Sequence, residues 1–297
     1  MAFSLHQIYV PLTALPFRRN EAYTEIQPCE ALRPYVRCFW GTRGHAVHDP
    51  SPPSAQLPVV PDTCADIILR VNDTRNQMAD HFCGVSNQSF LSHESGGECT
   101  FGIRFYAWSA VLFADEDMRC ALNAFTESGA YFTDLRRELC GRLAECSDIF
   151  ERARTAEKYL LQRRARLARE ESADIMNALY DIIQSDGRCD VGALAQSAVM
   201  SRRSLERLFA GQIGVSPKQM INMVRYQMVW RESLRGDFNV HDAVEQFGYY
   251  DQAHLLHDFK KYHGISLGEA RKAAWDRKNV AFLQAATGTV CYDKRIK

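Results

Sequence analysis

Two stretches of this chain repeat one arrangement of apolar spacing, tight turn and polar helix start. The first runs from Leu194 to Phe209 and the second from Val244 to Phe259. In the first, Val191, Leu194, Ala195 and Ala198 recur at helical spacing. A turn follows at Val199 and Met200, and Ser201 is placed to N-cap the next helix by accepting an orphan backbone N–H. Leu205, Leu208 and Phe209 form the apolar face of that helix, with Arg202, Arg203, Glu206 and Arg207 off it. The second stretch follows the same logic. Val240, Ala243, Val244 and Phe247 are the apolar positions, Gly248 supplies a permissive turn, and Asp251 is the N-cap. Leu255, Leu256 and Phe259 point inward, while Gln252, Ala253, His254 and His257 lie at the helix start or on its outer side.

A single helix is predicted between the two units. Ser216 followed by Pro217 reads as an N-cap with proline in the first turn, and Ile221, Val224, Met228 and Leu234 give an apolar stripe. Such a helix spans roughly 28 Å at 1.5 Å per residue. Two helix-turn-helix units that read successive major-groove segments of one duplex need helices roughly 34 Å apart. The connector together with the packing of the two units is compatible with that distance. The polar side chains suit contact with DNA. Arginine pairs bidentately with guanine edges and glutamine with adenine, while serine and lysine more often hold phosphates. Glu206 can orient Arg202 or Arg203, or accept from a cytosine amino group. Asp258 reads as structural.

These residues resemble the DNA-binding domain of AraC/XylS-family transcription regulators. The pieces that carry the resemblance are Leu194-Ala195, Ser201 to Phe209, Gly214 to Lys218, Arg225, Phe247 to His254, and Asp258 to Lys260. The resemblance implies an all-helical domain in which the second helix of each motif enters the major groove. It carries Ser201, Arg202, Arg203, Ser204, Glu206, Arg207, Lys218, Arg225, Gln252, Ala253, His254 and His257 over as DNA-binding residues. The chain departs from the family pattern at Val199, where glycine is common, at His257, where arginine is common, and at Gly264 to Gly268, which lacks the usual proline. A β-branched residue at positive φ predicts a strained first turn.

The N-terminal half is punctuated by Pro, Gly, Asn and Asp. Tyr35–Trp40, Asp66–Val71 and Thr100–Tyr106 read as strands. Leu32 to Val36 with Phe39-Trp40, Pro61 to Ile68, and Gly102 to Phe105 resemble the sensor domain of one AraC-type subfamily, which implies a cupin-like β-sandwich or barrel. The cupin metal signature is absent, so no metal site is expected. Candidate effector-binding residues are Trp40, Arg70, Arg104 and Tyr106, with Phe39, Phe105 and Trp108 also on these strands. Plain core packing is the competing reading for the aromatics, and an outward strand position for the arginines; a guanidinium also suits a carboxylate or phosphate. Asp117 to Glu171 reads as helical, through Phe125, Phe132, Leu135, Leu139 and Leu143, then a basic helix from Phe150 to Arg169 with a solvated face.

The expected fold class is therefore α+β multidomain, a cupin-like β-domain with following helices and then an all-α domain with two helix-turn-helix motifs. The expected divisions are residues 1–116 for the β sensor domain and 117–171 for a helical dimerisation or linker segment. Residues 172–275 form the DNA-binding domain and 276–297 a tail. At 297 residues two domains are the natural count, and the whole chain carries 36 Lys and Arg against 36 Asp and Glu. Neutrality argues against a general nucleic-acid coat. Residues 172–297 carry 17 basic and 14 acidic residues, a modest bias towards phosphate.

The ten cysteines include no Cys-x-x-Cys, His45-x-x-His48 is too little for a metal, and His81 and His93 have no ligand-like spacing. No nucleophile and base stand at a recognisable catalytic spacing, so no catalytic residue and no cofactor are named. No apolar run is long enough for a membrane helix, and Met1 to Gln7 lacks the layout of a secretory signal, so the expectation is a cytoplasmic protein. The expected partners are promoter or operator DNA, a small-molecule or nucleotide effector, a second copy of the chain as homodimer, and RNA polymerase if the chain activates. The alternatives are a cysteine-based redox or electrophile sensor and a regulator that performs alkyl-transfer DNA repair.

Overall fold

The computed structural model describes residues 4–14, 16, 23–42, 57–72, 77–92 and 99–275. His45, His48, His93, Cys291 and the tail beyond Trp275 lie outside the described residues.

The N-terminal half is built on sheets. β1 (Tyr23–Ile26), β2 (Val36–Thr42), β4 (Cys64–Asn72), β5 (Gln77–Cys83), β7 (Cys99–Tyr106) and β8 (Phe125–Glu127) form a six-stranded sheet in the order β1-β2-β7-β4-β5-β8. Every pairing in it is antiparallel. β3 (Leu57–Val59) and β6 (Phe90–Ser92) make a separate two-stranded sheet. Alternation decides the faces. Phe39, Ile67, Leu69, Phe82, Phe101, Ile103 and Phe105 all belong to one core, which also takes in Phe113, Phe132, Leu135 and Leu139 from the segments that follow β7. The central strand β7 is buried along nearly its whole length, as expected for a strand paired on both sides.

Two expectations for the middle of the chain are corrected. Phe125 is in strand β8, not in an amphipathic helix, so the sheet continues past residue 116. Its apolar neighbours Phe132 to Leu143 belong to separate short turns, a five-residue π-helix (Arg136–Cys140) and the short helix α2 (Gly141–Glu145). The basic helix α3 (Ile149–Leu167), N-capped by Asp148, is not simply solvated. Arg152 and Arg163 are 1 % exposed, because α3 lies on the sheet and its arginines find internal partners. Arg152 donates to the carbonyls of Leu143 and Cys146. Arg163 pairs with Asp134 and with Asp115, and donates to the Phe113 carbonyl. Burying a charge is costly unless it is paired and hydrogen-bonded; Arg163 has both kinds of partner, and Arg152 is held by hydrogen bonds.

The C-terminal half is helical: α4 (Ala173–Gln184), α5 (Val191–Ser197), α6 (Arg202–Gln212), α7 (Pro217–Ser233), α8 (Val240–Phe247), α9 (Gln252–His263) and α10 (Leu267–Ala274). Ser172 caps α4, which fixes the junction between the halves. Where the family pattern has proline after the second motif, Ser266 and Glu269 form a reciprocal capping box at the start of α10.

The halves are packed together. α1 (Leu5–Ile8) precedes an irregular segment, and Leu5, Tyr9 and Ala14 share one core with the C-terminal helices. Val60, Val85, Tyr106, Ala107 and Trp108 join the same core from the β-domain. No helix among the described residues is long and apolar enough to cross a membrane.

Candidate nucleic-acid interface

Helix α7 organises the C-terminal half. Its start is fixed by a capping box between Ser216 and Gln219, with Pro217 in the first turn. Met220, Ile221, Met223, Val224, Tyr226, Val229 and Trp230 are all buried, so α7 is covered on all sides. α4 and α6 pack against one part of it, α8 and α9 against another, and α5 rests on α4 and α6. Seventeen residues make it about 25 Å long at 1.5 Å per residue.

The first unit is α5, a turn, and α6. Ser201 accepts from Ser204 N at 3.1 Å, as an N-cap should. The turn carries Val199 at φ +52°, the left-handed conformation that glycine takes without cost. Val199 is 92 % exposed, so no packing of its side chain offsets the strain. The second unit is α8, a turn, and α9. Gly248 sits at φ +67° and Asp251 accepts from His254 N at 2.7 Å.

Leu205 and Phe209 of α6, and Leu255 and Phe259 of α9, are buried. Arg202, Arg203, Glu206 and Arg207 are exposed along α6, and Gln252, Ala253, His254 and His257 along α9. The β-domain therefore leaves both outer faces open. Ser204 is half-buried and Lys218 is exposed near the start of α7. Arg202 leans over Gly192, beside the N-cap Asp190 of α5. The Asp190 carboxyl is held below its usual range by backbone N–H donors from Ala193 and Gly192, with the positive charges of Arg202 and Lys218 adding to the effect. Among the described residues Glu206 makes no ion pair with Arg202 or Arg203.

Arg225 has internal partners. It donates from Nε to the Gly187 carbonyl at 2.8 Å, and its guanidinium lies 5.4 Å from the centre of the Tyr249 ring. It thus ties the loop after α4 to the turn of the second unit. Tyr249 in turn donates to Asp258 Oδ2 at 3.0 Å, in keeping with the structural reading of Asp258. One exposed side chain escaped the sequence reading: Tyr250, 91 % exposed, immediately before the Asp251 cap. A large aromatic next to a helix cap, outside the apolar period, was the available signal.

The candidate effector residues are only partly brought together. Trp40 Nε1 donates to Asp66 Oδ1 at 2.8 Å, and Arg104 Nε donates to the same oxygen at 3.0 Å. Arg104 Nη1 reaches Asp62 Oδ2 at 3.5 Å, and its guanidinium lies 5.6 Å from the centre of the Trp40 ring. Burial opposes the charge of Arg104, but Asp66 and Asp62 outweigh it and raise its pKa well above the usual value. Burial raises the Asp62 carboxyl, against the pull of Arg104. The arginine is thus neutralised from within. Tyr106 stacks on Trp108 at 4.5 Å inside the core shared by the two halves. Arg70 stands four residues from Asp66 on β4, about 13 Å away at 3.3 Å per residue.

Burial pushes the thiols of Cys38, Cys83 and Cys140 up to about 12 and that of Cys64 well above its ordinary value. These four are neutral thiols at neutral pH.

Comparison with known proteins agrees with this geometry. Residues 194–273 match the family model described as a helix-turn-helix domain, and residues 24–126 match a domain of unknown function, DUF6597. An uncharacterized HTH-type transcriptional regulator of Haemophilus influenzae is 32% identical over 80 residues, which is 27% of this chain and 27% of that protein. The match thus spans about a quarter of that relative's length. Among solved structures, an apo form of ToxT from Vibrio cholerae aligns over 80% of this chain and 97% of its own, with 11% identity and a TM-score of 0.40. An unsaturated-fatty-acid-bound form of ToxT covers 86% of this chain and 97% of its own, at 12% identity and a TM-score of 0.38. The C-terminal half is a double helix-turn-helix domain of the AraC type. It follows a β-sheet-rich N-terminal domain that matches DUF6597.

Proposed function

We propose that this protein is a sequence-specific DNA-binding transcription regulator that reads two segments of one duplex with α6 and α9. The observation that carries the reading is the pair of outward-facing helices held by one buried helix, each with its apolar side sealed and its polar side open. Arg202, Arg203 and Arg207 offer guanidinium groups to guanine edges or phosphates, and Gln252 offers an amide to adenine. His254, His257 and Lys218 add phosphate or base contacts, and the capped starts of α6 and α9 present backbone N–H groups to the same polyanion.

In this reading the β-domain is the responsive part. A small molecule that binds one arrangement of it better than another shifts how the two units are presented. Because Arg104 is already satisfied by two carboxylates, the reading favours a ligand held by apolar and hydrogen-bonding contacts near Trp40 over a simple anion. Two copies pair as a homodimer in the same reading, supported by Phe150 and Leu161, which stand exposed on α3. Sedimentation at micromolar concentration tests this pairing, and a melting-temperature screen with small molecules tests the response. A cysteine-based sensor is less favoured, since burial holds four of the thiols in the unreactive protonated form.

Selection of bound sites from random duplexes with the full chain tests the function directly. Enrichment of a motif with two contacted segments about one helical turn apart is expected. Absence of enrichment from folded protein, with and without small-molecule extracts, overturns the proposal.

A further inference from the structure

Two loops of the β-domain touch the two helix-turn-helix units, one loop to each, and they are fastened to one another. The first loop, residues 84–89, follows β5. It places Ser89 against Gly264, the left-handed cap of α9: a Cβ built on Gly264 would lie 2.5 Å from Ser89 Oγ. The second loop, residues 118–124, precedes β8. Met118 N donates to the Gly211 carbonyl of α6 at 2.9 Å, and the Met118 carbonyl sits where a Cβ on Gly214 would be, 2.6 Å away. Both contacts fall at the C-terminal ends of the two helices proposed to read DNA.

The fastening is Asn123. Its Oδ1 is 3.0 Å from Ser86 Oγ, which donates to it, and accepts from Asn87 N at 3.0 Å. Its Nδ2 donates to Asn87 Oδ1 at 3.0 Å. Asn123 N donates to the Val85 carbonyl at 2.9 Å, and Gly84 N to the Ala124 carbonyl at 3.0 Å, which extends the β5–β8 ladder through both loops. Asn123 holds φ +55°, a conformation asparagine accepts more readily than most residues. Below the polar latch, Val85 is buried in the core of the helical half, and Leu122 packs against it. Met118 and Ala121 are buried in the core of the sheet.

We infer that this clasp sets the separation at which the two units read DNA, with Asn123 as the positioning residue that makes its two loops one body. The inference rests on the DNA-reading function proposed above. α7 joins the units from within; the clasp joins them a second time, from outside, at the ends of α6 and α9. A double attachment removes the swivel that a single connecting helix permits. One base pair added between two contacted segments displaces the second by about 3.4 Å along the axis and turns it about the helix, and a clasped reader cannot follow it.

The test uses the full chain and the site obtained by selection. Binding is measured to that site, to versions with one base pair inserted or removed between the two segments, and to a duplex keeping only one segment. The wild type is expected to bind the altered spacings at least about tenfold more weakly than the parent. Asn123→Gly keeps the backbone conformation and removes the latch, and the spacing penalty is expected to shrink to less than half on a logarithmic scale. Binding to the single segment stays unchanged. Asn123→Asp keeps the acceptor for Ser86 and Asn87 and is expected to restore most of the penalty. Ser89→Gly acts at the other contact, leaves Asn123 untouched, and is expected to weaken the penalty even if Asn123→Gly does not fold. Wild-type spacing discrimination in folded Asn123→Gly and Ser89→Gly proteins overturns the inference while leaving the DNA-reading function standing. Failure of the wild type to bind any duplex overturns both.

Discussion

Gln227 and Leu12 exchange hydrogen bonds in both directions. Leu12 N donates to Gln227 Oε1 at 2.7 Å, and Gln227 Nε2 donates to the Leu12 carbonyl at 3.0 Å. The same Nε2 donates to the Pro61 carbonyl at 2.7 Å. A side-chain amide thus completes the backbone bonding of an irregular segment, as a neighbouring strand would. Trp230 and Arg231 extend the contact by donating to the carbonyls of Thr13 and Val10. The N-terminal segment is in this way strapped along α7, the helix on which both helix-turn-helix units are mounted.

Gln227→Leu is expected to destabilise the full chain by about 2–4 kcal/mol. Gln227 is 1 % exposed, and its loss leaves the N–H of Leu12 and the carbonyls of Leu12 and Pro61 short of partners. Chemical denaturation checks this. An effect below about 0.5 kcal/mol shows that water replaces the amide without cost.

Alanine at Arg203 and Gln252 together is expected to abolish preference for the selected DNA site while leaving the helical circular dichroism unchanged. Both side chains are exposed and outside the core, so the fold has little stake in them. A bidentate base contact is worth about 1–3 kcal/mol of discrimination. Lys218→Ala is expected instead to weaken all duplexes alike and to flatten the salt dependence by about one unit of slope. Titration by fluorescence anisotropy at several salt concentrations separates the two behaviours.

Val199→Gly is expected to stabilise the protein by about 0.5–1 kcal/mol. The left-handed conformation costs an L-residue about 1–2 kcal/mol, and the extra freedom of unfolded glycine returns about 0.5–1 of that. Little packing is lost, because the side chain is 92 % exposed. Thermal unfolding of the two proteins decides; a lower melting temperature for the glycine variant shows that Val199 makes a stabilising contact.

His263 is expected to make the protein less stable in mild acid. Burial lowers its pKa to about 4, and Nδ1 is 2.8 Å from the Tyr226 hydroxyl. The unfolded chain takes up a proton near pH 6.5, and the folded chain does so only near pH 4. The contribution is therefore complete above about pH 6.5, falls as the pH drops, and is lost by about pH 4, with a total of about 3 kcal/mol. Denaturation at pH 5 and pH 7 measures the slope. His263→Gln is expected to remove most of it, and an equal slope in wild type and variant refutes the assignment.

The residues that could be read directly are those whose partners lie within a few positions. Ser201, Ser216 and Asp251 each accept from the backbone N–H three residues on, so their capping roles follow from order along the chain. The glycine-like turn at Val199 is local in the same sense, and the three central strands are marked by the residues within each strand although their pairing partners are distant. They give the two units, the connecting helix and the outward faces of α6 and α9.

What tertiary structure alone decided involves partners far apart in sequence. Gln227 meets a segment 215 residues away. Arg163 is buried only because Asp134 and Asp115 converge on it, and nothing in the run of basic residues around it distinguishes it from solvated Arg154. Phe125 fits an apolar period shared with Phe132 and Leu135, yet the free edge of β5 recruits its backbone into the sheet. Arg225 reaches the carbonyl of Gly187, 38 residues away, and the face of Tyr249. Local order thus determined which helices form and which faces stay polar. Only the tertiary packing within each half, through contacts that no short window contains, decided which charges are spent inside and which remain for a partner.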